Sequence, residues 1–162
     1  MIEPSLFPTP RLVTIALGTN QGDRPALLAA ARTALSEQVG PLVSQSPVVE
    51  TAPWGVTGQP DYLNQVIVVK WRPPVGSLRD QLLNLLDRTQ RIETDLGRVR
   101  KERWGTRTCD IDLIFADDLR YEDERLSLPH PWWRARDFVG GVIARELATV
   151  GHHDPWLAAN TS

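Results

Sequence analysis

The sequence contains a single cysteine, Cys109, and no run of about 18 consecutive apolar residues. A lone cysteine excludes an internal disulfide and a thiolate metal cage, and it is typical of proteins from a reducing compartment. Without an apolar run of that length we expect no membrane span. The first nine residues also lack the basic and apolar regions of a secretory signal peptide. These absences lead us to expect a cytoplasmic protein.

The chain also lacks a large charge excess of either sign. Its 18 Lys and Arg against 20 Asp and Glu give a net charge of -2 at pH 7. Proteins that bind nucleic acids or membrane surfaces usually carry a basic excess, so we expect neither kind of partner. The length of 162 residues, 41% of them hydrophobic, suits one core. We therefore expect a monomer with a single domain over residues 1–162, with loose tails at 1–11 and roughly 149–162.

Glycine-rich phosphate-binding motifs are absent too. No Walker A motif (GxxxxGK followed by Ser or Thr) and no kinase glycine-rich loop occurs. Side chains would therefore have to bind any phosphate group. No serine lies in a GxSxG motif, which disfavours a Ser-His-Asp hydrolase.

Apolar periodicity predicts an alternation of strands and helices. The expected strands are residues 12–17, 42–51, 62–71 and 109–115, followed by a minor hairpin at 120–128. The first expected helix begins after an N-cap at Asp23, with Pro25 at its first position, and ends at Gly40. The second begins at a capping box of Ser77 and Asp80 and ends at Gly97. A third helix is expected over 138–147. We expect a turn at residues 18–22. This order indicates an α+β protein with a ferredoxin-like βαββαβ sandwich, in which helices pack on a mainly antiparallel sheet.

Two carboxylates, Asp110 and Asp112, lie two residues apart on a predicted strand. Side chains at this spacing project from the same face of a strand. Burial would disfavour both ionised forms unless a cation offset their charge, and Mg²⁺ prefers such oxygen ligands together with substrate phosphates. The spacing alone favours a solvent-facing pair on an exposed sheet face over a metal site.

The residues just before this pair form a basic segment around Trp104. Its cations are Arg98, Arg100, Lys101, Arg103 and Arg107. Carboxylates for a metal beside arginines for phosphate are the side chains that phosphoryl transfer requires. The alternative is a solvated basic loop that forms weak surface ion pairs with the acidic residues at 117–124. The composition of the segment leaves both interpretations open.

Seven short motifs occur in order between residues 61 and 131. They are DYLN at 61–64, RIE at 91–93, GRVR at 97–100, RWG at 103–105, RT at 107–108, DID at 110–112 and LPHP at 128–131. With these motifs the chain resembles the 6-hydroxymethyl-7,8-dihydropterin pyrophosphokinases of the folate pathway over roughly residues 12–148. ALGTN at 16–20 is similar to the first strand and turn of that family. Thr106 and Cys109 depart from the family pattern, since Pro and Leu are usual there.

The resemblance implies transfer of the terminal diphosphate of ATP to the hydroxymethyl group of the pterin, with release of AMP. It implies two Mg²⁺ ions, both bound by Asp110 and Asp112, and it makes these aspartates catalytic together with Arg98 and Arg107. The further residues implied to bind ATP are Gln90, Arg100, Arg103, Trp104, Arg125, His130 and Arg136. ATP and the pterin are thus the expected small-molecule partners.

The resemblance also implies how the pterin is bound. Tyr62 and Phe138 match the two rings that stack on it, and Asn64 matches the amide that reads its edge. The loop that completes recognition is matched by Thr51, Pro53, Trp54 and Gly55. Glu93 matches a position that supports the site, by holding an arginine. Without the resemblance, Tyr62 and Phe138 would be interpreted as core residues.

Two other kinds of protein share this fold class. One is a ferredoxin-like regulatory module that binds a nucleotide without turning it over. Metal-dependent release of AMP rather than ADP would distinguish the pyrophosphokinase from such a module. The other is an RNA-binding sheet domain, which needs exposed aromatic residues on adjacent strands and a basic excess. Neither of these two features is evident in the sequence.

Overall fold

The computed structural model of the protein describes residues 8–51, 61–98 and 109–131. Its elements in chain order are β1 (Arg11–Thr19), α1 (Arg24–Gln38), β2 (Leu42–Gln45), β3 (Val49–Thr51), β4 (Tyr62–Trp71), α2 (Leu78–Arg98), β5 (Asp110–Ala116), β6 (Tyr121–Glu122) and β7 (Ser127–Leu128). For Arg98 the description covers the backbone only.

The five strands β1 to β5 form one antiparallel sheet. Four of them follow the order β2-β4-β1-β5, and β3 pairs with β4 as well. Alternate residues of β1 and β4, among them Ile15 and Ile67, enter a core shared with Leu28 of α1 and Leu85 of α2. Burying each such side chain contributes roughly 1.5–3 kcal/mol, which holds both helices against one face of the sheet. The expected α+β ferredoxin-like fold is confirmed.

Both helices begin at the caps that the sequence predicts. The carboxylate of Asp23 accepts a hydrogen bond from the backbone N–H of Ala26 (3.1 Å), and α1 starts one residue later. Pro25 therefore occupies the second position of α1, not the first. At α2, the hydroxyl of Ser77 accepts from the backbone N–H of Asp80 (3.1 Å). These bonds satisfy backbone donors that have no partner inside the helix.

The prediction that the first strand ends at Leu17 is wrong, because β1 runs through Thr19. Gly18, which the sequence places in a turn, pairs with Asn64 of β4 on one side and with Asp110 of β5 on the other. Ladder contacts on both flanks keep the chain extended despite the glycine. Gly18 is therefore part of the sheet surface.

The expected strand over 42–51 is also wrong as one element, since it divides into β2 and β3. Between them, the backbone N–H of Ser46 donates to the carbonyl of Val66 (2.8 Å), and its hydroxyl accepts from the N–H of Val66 (3.0 Å). The next residue, Pro47, has no N–H to continue a ladder. Both segments nevertheless pair with β4.

The chain after β5 folds into the predicted minor hairpin. Tyr121 pairs with Leu128 and Glu122 with Ser127, which forms the two-stranded sheet of β6 and β7. The helix expected at 138–147 lies outside the described residues. Within the described ranges, no helix is both long enough and apolar enough to span a bilayer.

Candidate functional site

The sheet face opposite the helices carries the two aspartates. In β5, Ile111 and Leu113 belong to the core, whereas Asp110 and Asp112 alternate with them and are half-buried. The two carboxylates therefore project from the same face, as the spacing predicts. A divalent cation can be bound from this face without displacing the helices.

Small residues of β1 separate this pair from β4. Gly18 pairs with both Asp110 and Asn64, and Ala16 pairs with both Asp112 and Val66. All of these residues share one face of the sheet, because antiparallel partners do so. The carboxylates and Asn64 thus lie on one face with no large side chain between them. We call its half-buried part, which consists of Ala16, Gly18, Asn64, Asp110 and Asp112, the open face.

The residues expected to bind the pterin meet at the ends of β3 and β4. Thr51 pairs directly with Tyr62. The amide nitrogen of Asn64 donates to the hydroxyl of Thr51 (2.7 Å) and to the carbonyl of Val49 (3.2 Å). These two bonds fix the orientation of the amide. A half-buried amide beside a half-buried aromatic ring can read the polar edge of a flat heterocycle and stack on its face.

Glu93, near the end of α2, holds β5 in place from its outer edge. Its carboxylate accepts a hydrogen bond from the backbone N–H of Ile111 (3.0 Å), the residue between Asp110 and Asp112. A hydrogen bond to a charged acceptor is stronger than a neutral one. Glu93 thus supports the carboxylate pair through the backbone, a contact that sequence reasoning missed. The arginine that it is expected to hold stays a prediction.

A cleft of about 340 Å³ lies between the second half of α2, β5 and the hairpin. The expected ATP ligands Gln90, Arg125 and His130 line it together with Asp112. The guanidinium of Arg125 donates to the carboxylate of Asp87 (2.7 Å) and to the side-chain carbonyl of Gln90 (3.2 Å). The cleft therefore combines a cation with an aspartate of the open face.

Negative charge is concentrated at the start of β5. The pKa of the Cys109 thiol is raised from 9.0 to about 12, first by burial and then by the carboxylates of Asp110, Glu93 and Asp112. A thiol that stays protonated at neutral pH is neither a nucleophile nor a metal ligand. The same carboxylates favour a bound cation at this end of the strand.

The described residues bring together only part of the expected site. Outside the described ranges lie Pro53, Trp54, Gly55, Arg100, Arg103, Trp104, Arg107, Arg136 and Phe138. Sequence reasoning missed Asp87, the partner of Arg125, although it lies one helical turn before Gln90 and Arg91 on the same helix. It also missed Gly18, because the glycine was assigned to a turn.

The site combines a carboxylate pair with a fixed amide beside an aromatic ring on one face of a ferredoxin-like sheet, and a cleft containing an arginine lies next to it. These features together define a class of protein. This arrangement suits an enzyme that transfers a phosphoryl-type group between a nucleotide and a small aromatic substrate. Fold alone would not specify this class, since many activities share the ferredoxin-like scaffold.

The family is shown by comparison with known proteins. The family model of 7,8-dihydro-6-hydroxymethylpterin-pyrophosphokinase (HPPK) matches residues 14–147, so the chain belongs to this family. The 2-amino-4-hydroxy-6-hydroxymethyldihydropteridine pyrophosphokinase of Bacillus subtilis is 39% identical over 131 residues, 80% of this chain and 74% of the relative. The protein of the same name from Porphyromonas gingivalis is 37% identical over 150 residues, 90% of this chain and 92% of the relative. The protein is an ATP-dependent pyrophosphokinase.

Solved structures agree on the fold. The crystal structure of Plasmodium falciparum HPPK-DHPS wild type with SDX-DHP matches 81% of this chain with a TM-score of 0.55 and 14% identity. This chain spans 40% of the length of that solved chain. At this identity the match supports the α+β architecture only.

Proposed function

We infer that the protein transfers the terminal diphosphate of ATP to the hydroxymethyl group of 6-hydroxymethyl-7,8-dihydropterin and releases AMP, a step of folate biosynthesis. One observation carries the assignment of this reaction to particular residues. Asp110 and Asp112 share the open sheet face with Tyr62 and Asn64, and only β1 lies between them. Both substrates can therefore meet above β1.

The pterin is bound at the ends of β3 and β4 in this proposal. Asn64, fixed by its bonds to Thr51 and Val49, reads the edge of the heterocycle. Tyr62 stacks on one face, and burial of a flat ring between aromatic groups excludes water from it. From the resemblance we assign the other ring to Phe138, and the loop contacts to Pro53, Trp54 and Gly55.

In this proposal Asp110 and Asp112 would hold magnesium. The donor set fits, because Mg²⁺ is usually bound by one or two carboxylates plus waters and substrate phosphates. Among the described residues, no group of three or more His, Cys, Asp and Glu could hold a metal, so waters and substrate phosphates would have to complete the coordination by this pair. Two bound Mg²⁺ ions, the number we propose, would neutralise charge on the phosphates of ATP.

The remaining roles concern the nucleotide. Arg98 and Arg107 stabilise the charge that develops as the hydroxymethyl oxygen bonds to the β-phosphorus and the bond to the AMP oxygen breaks. The alcohol proton passes to Asp110 or to water. The shared cleft supports nucleotide contacts for Gln90, Arg125 and His130. From the resemblance we add Arg100, Arg103, Trp104 and Arg136.

The identity of the nucleotide product tests this function. Incubation with Mg²⁺, ATP and the pterin is expected to yield AMP and diphosphorylated pterin in equal amounts, and reactions without pterin or with EDTA are the controls. Formation of ADP would contradict diphosphate transfer. Binding of ATP without any turnover would favour the regulatory module instead.

We also propose that the chain is a single-domain monomer of the cytoplasm that does not bind nucleic acid. The lone Cys109 and the net charge of -2 support this proposal. Light scattering across a tenfold range of concentration tests the oligomeric state, and a mass of twice 18.2 kDa would contradict it. Retention of the protein by single-stranded RNA at moderate salt would contradict the proposal that it does not bind nucleic acid.

A further inference from the structure

Gly18 lies on the open sheet face between the two halves of the proposed site. Its partners in the two neighbouring ladders are Asn64, on the pterin side, and Asp110, on the metal side. Neighbouring strands are about 4.8 Å apart, so these two partners are roughly 10 Å apart across β1. A side chain on residue 18 would stand between them.

The backbone gives no reason for a glycine at this position. Among the described residues, the glycines with positive φ are Gly22 and Gly76, and Gly18 is not one of them. Gly18 sits in regular antiparallel pairing, where any residue can adopt the extended conformation. A glycine inside a strand weakens the strand and often marks a place where a ligand approaches the backbone closely.

The space above Gly18 is bordered by residues that would contact the pterin. A Cβ atom added to Gly18 would lie 3.3 Å from Oδ1 of Asn64 and 3.8 Å from Cδ1 of Tyr62. The first distance is tighter than an ordinary contact, so Asn64 would have to move. Its amide nitrogen is bonded to Thr51 (2.7 Å) and Val49 (3.2 Å), and movement would weaken these bonds. Both contacts of the added Cβ lie on the β4 side.

We propose that Gly18 is a specificity-determining residue that provides the floor of the pterin site, an inference that rests on the proposed function. The missing side chain lets a flat bicyclic ring lie from Asn64 across β1, with its one-carbon arm directed towards Asp110. Any side chain at residue 18 displaces Asn64 and raises the ring from the sheet. The ring then binds more weakly and presents its hydroxyl less well to the β-phosphorus.

The variants Gly18→Ala and Gly18→Val test this role in the full-length protein. We expect the KM for the pterin to rise at least tenfold in the alanine variant and at least 100-fold in the valine variant. The affinity for a magnesium complex of a non-hydrolysable ATP analogue, measured by calorimetry, should stay within twofold. The Tm of the alanine variant should change little, because the preference of a strand interior for alanine over glycine offsets the weakened bonds of Asn64. Thr14→Ser, on the same face of β1 but four residues away, is the control with unchanged kinetics.

Two results would overturn the inference. One is an unchanged pterin KM in both glycine variants. The other is an equal loss of affinity for the ATP analogue and the pterin together with a clear fall in Tm, because this combination would indicate a general structural role. Failure of the unsubstituted protein to release AMP would contradict the proposed function itself, and it would be detected before any variant is compared.

Discussion

The contact between Glu93 and β5 allows a quantitative test of how the aspartates are positioned. Glu93→Ala removes the carboxylate that accepts the backbone N–H of Ile111 at 3.0 Å. Glu93→Gln keeps a side-chain oxygen at a similar position but removes the charge. The two variants therefore distinguish the hydrogen bond from its ionic contribution.

The expected size follows from the geometry. A hydrogen bond to a charged group contributes about 1.5–3 kcal/mol, and a neutral one about 0.5–1.5 kcal/mol. Glu93 also repels Asp110 and Asp112, because like charges repel and all three carboxylates lie close enough to the Cys109 thiol to raise its pKa. We expect the hydrogen bond to exceed this repulsion, since the bond has good geometry and the side chain is only half-buried. Because relief of the repulsion offsets part of the lost bond, the free energy of unfolding should fall by at most about 1.5–3 kcal/mol in Glu93→Ala, and by roughly half as much in Glu93→Gln.

Urea unfolding measures this loss, with an unchanged m-value as the sign that only stability has changed. In thermal unfolding the alanine variant should lose about 3–12 °C in Tm. Ile111 lies between the two aspartates, so loss of its bond should also weaken magnesium binding. The magnesium concentration that gives half-maximal activity should therefore rise in both variants, and more in Glu93→Ala than in Glu93→Gln. A glutamine variant more stable than the unsubstituted protein would show that repulsion dominates and would refute the reasoning.

Three further predictions concern the site and its surroundings. Asp110→Ala and Asp112→Ala should each abolish AMP release while circular dichroism stays unchanged, and substantial residual activity in either would mean that the metal is held elsewhere. Arg24→Ala removes a bond to the carbonyl of Asp61 (2.7 Å), next to Tyr62. Such an exposed contact contributes about 1 kcal/mol or less, so we expect a small change in Tm and a several-fold higher pterin KM, partly restored in Arg24→Lys. Because the pKa of Cys109 is about 12, iodoacetamide should not label the native protein at pH 8. The free energy of unfolding should fall as the pH rises from 9.0 towards 12, because only the unfolded thiol is ionised in this range. Labelling of the native protein at the rate of the unfolded protein would contradict the burial of this thiol.

Local signals made the helices predictable. Asp23 and Ser77 bind backbone donors within three residues along the chain, so their effect can be inferred from spacing alone. The same holds for Asp110 and Asp112, since alternation along one strand decides which side chains share a face. The family motifs then supplied roles for these residues that spacing could not.

The features that escaped prediction depend on partners distant in sequence. Gly18 looks like the start of a turn until Asn64 and Asp110 pair with it from strands far along the chain. The break at Ser46 follows from its bonds with Val66, twenty residues away. Such contacts are set by the register of the whole sheet, which no short window of sequence contains.

The most direct test of the account is a crystal structure of the protein with Mn²⁺ in place of Mg²⁺, a non-hydrolysable ATP analogue and the pterin. We expect anomalous density for the metal in contact with both Asp110 and Asp112, and the pterin between Tyr62 and Asn64 with its hydroxymethyl arm above Gly18. Metal density away from this pair, or a pterin on the helix-covered side of the sheet, would contradict the claim that one open face brings the two substrates together.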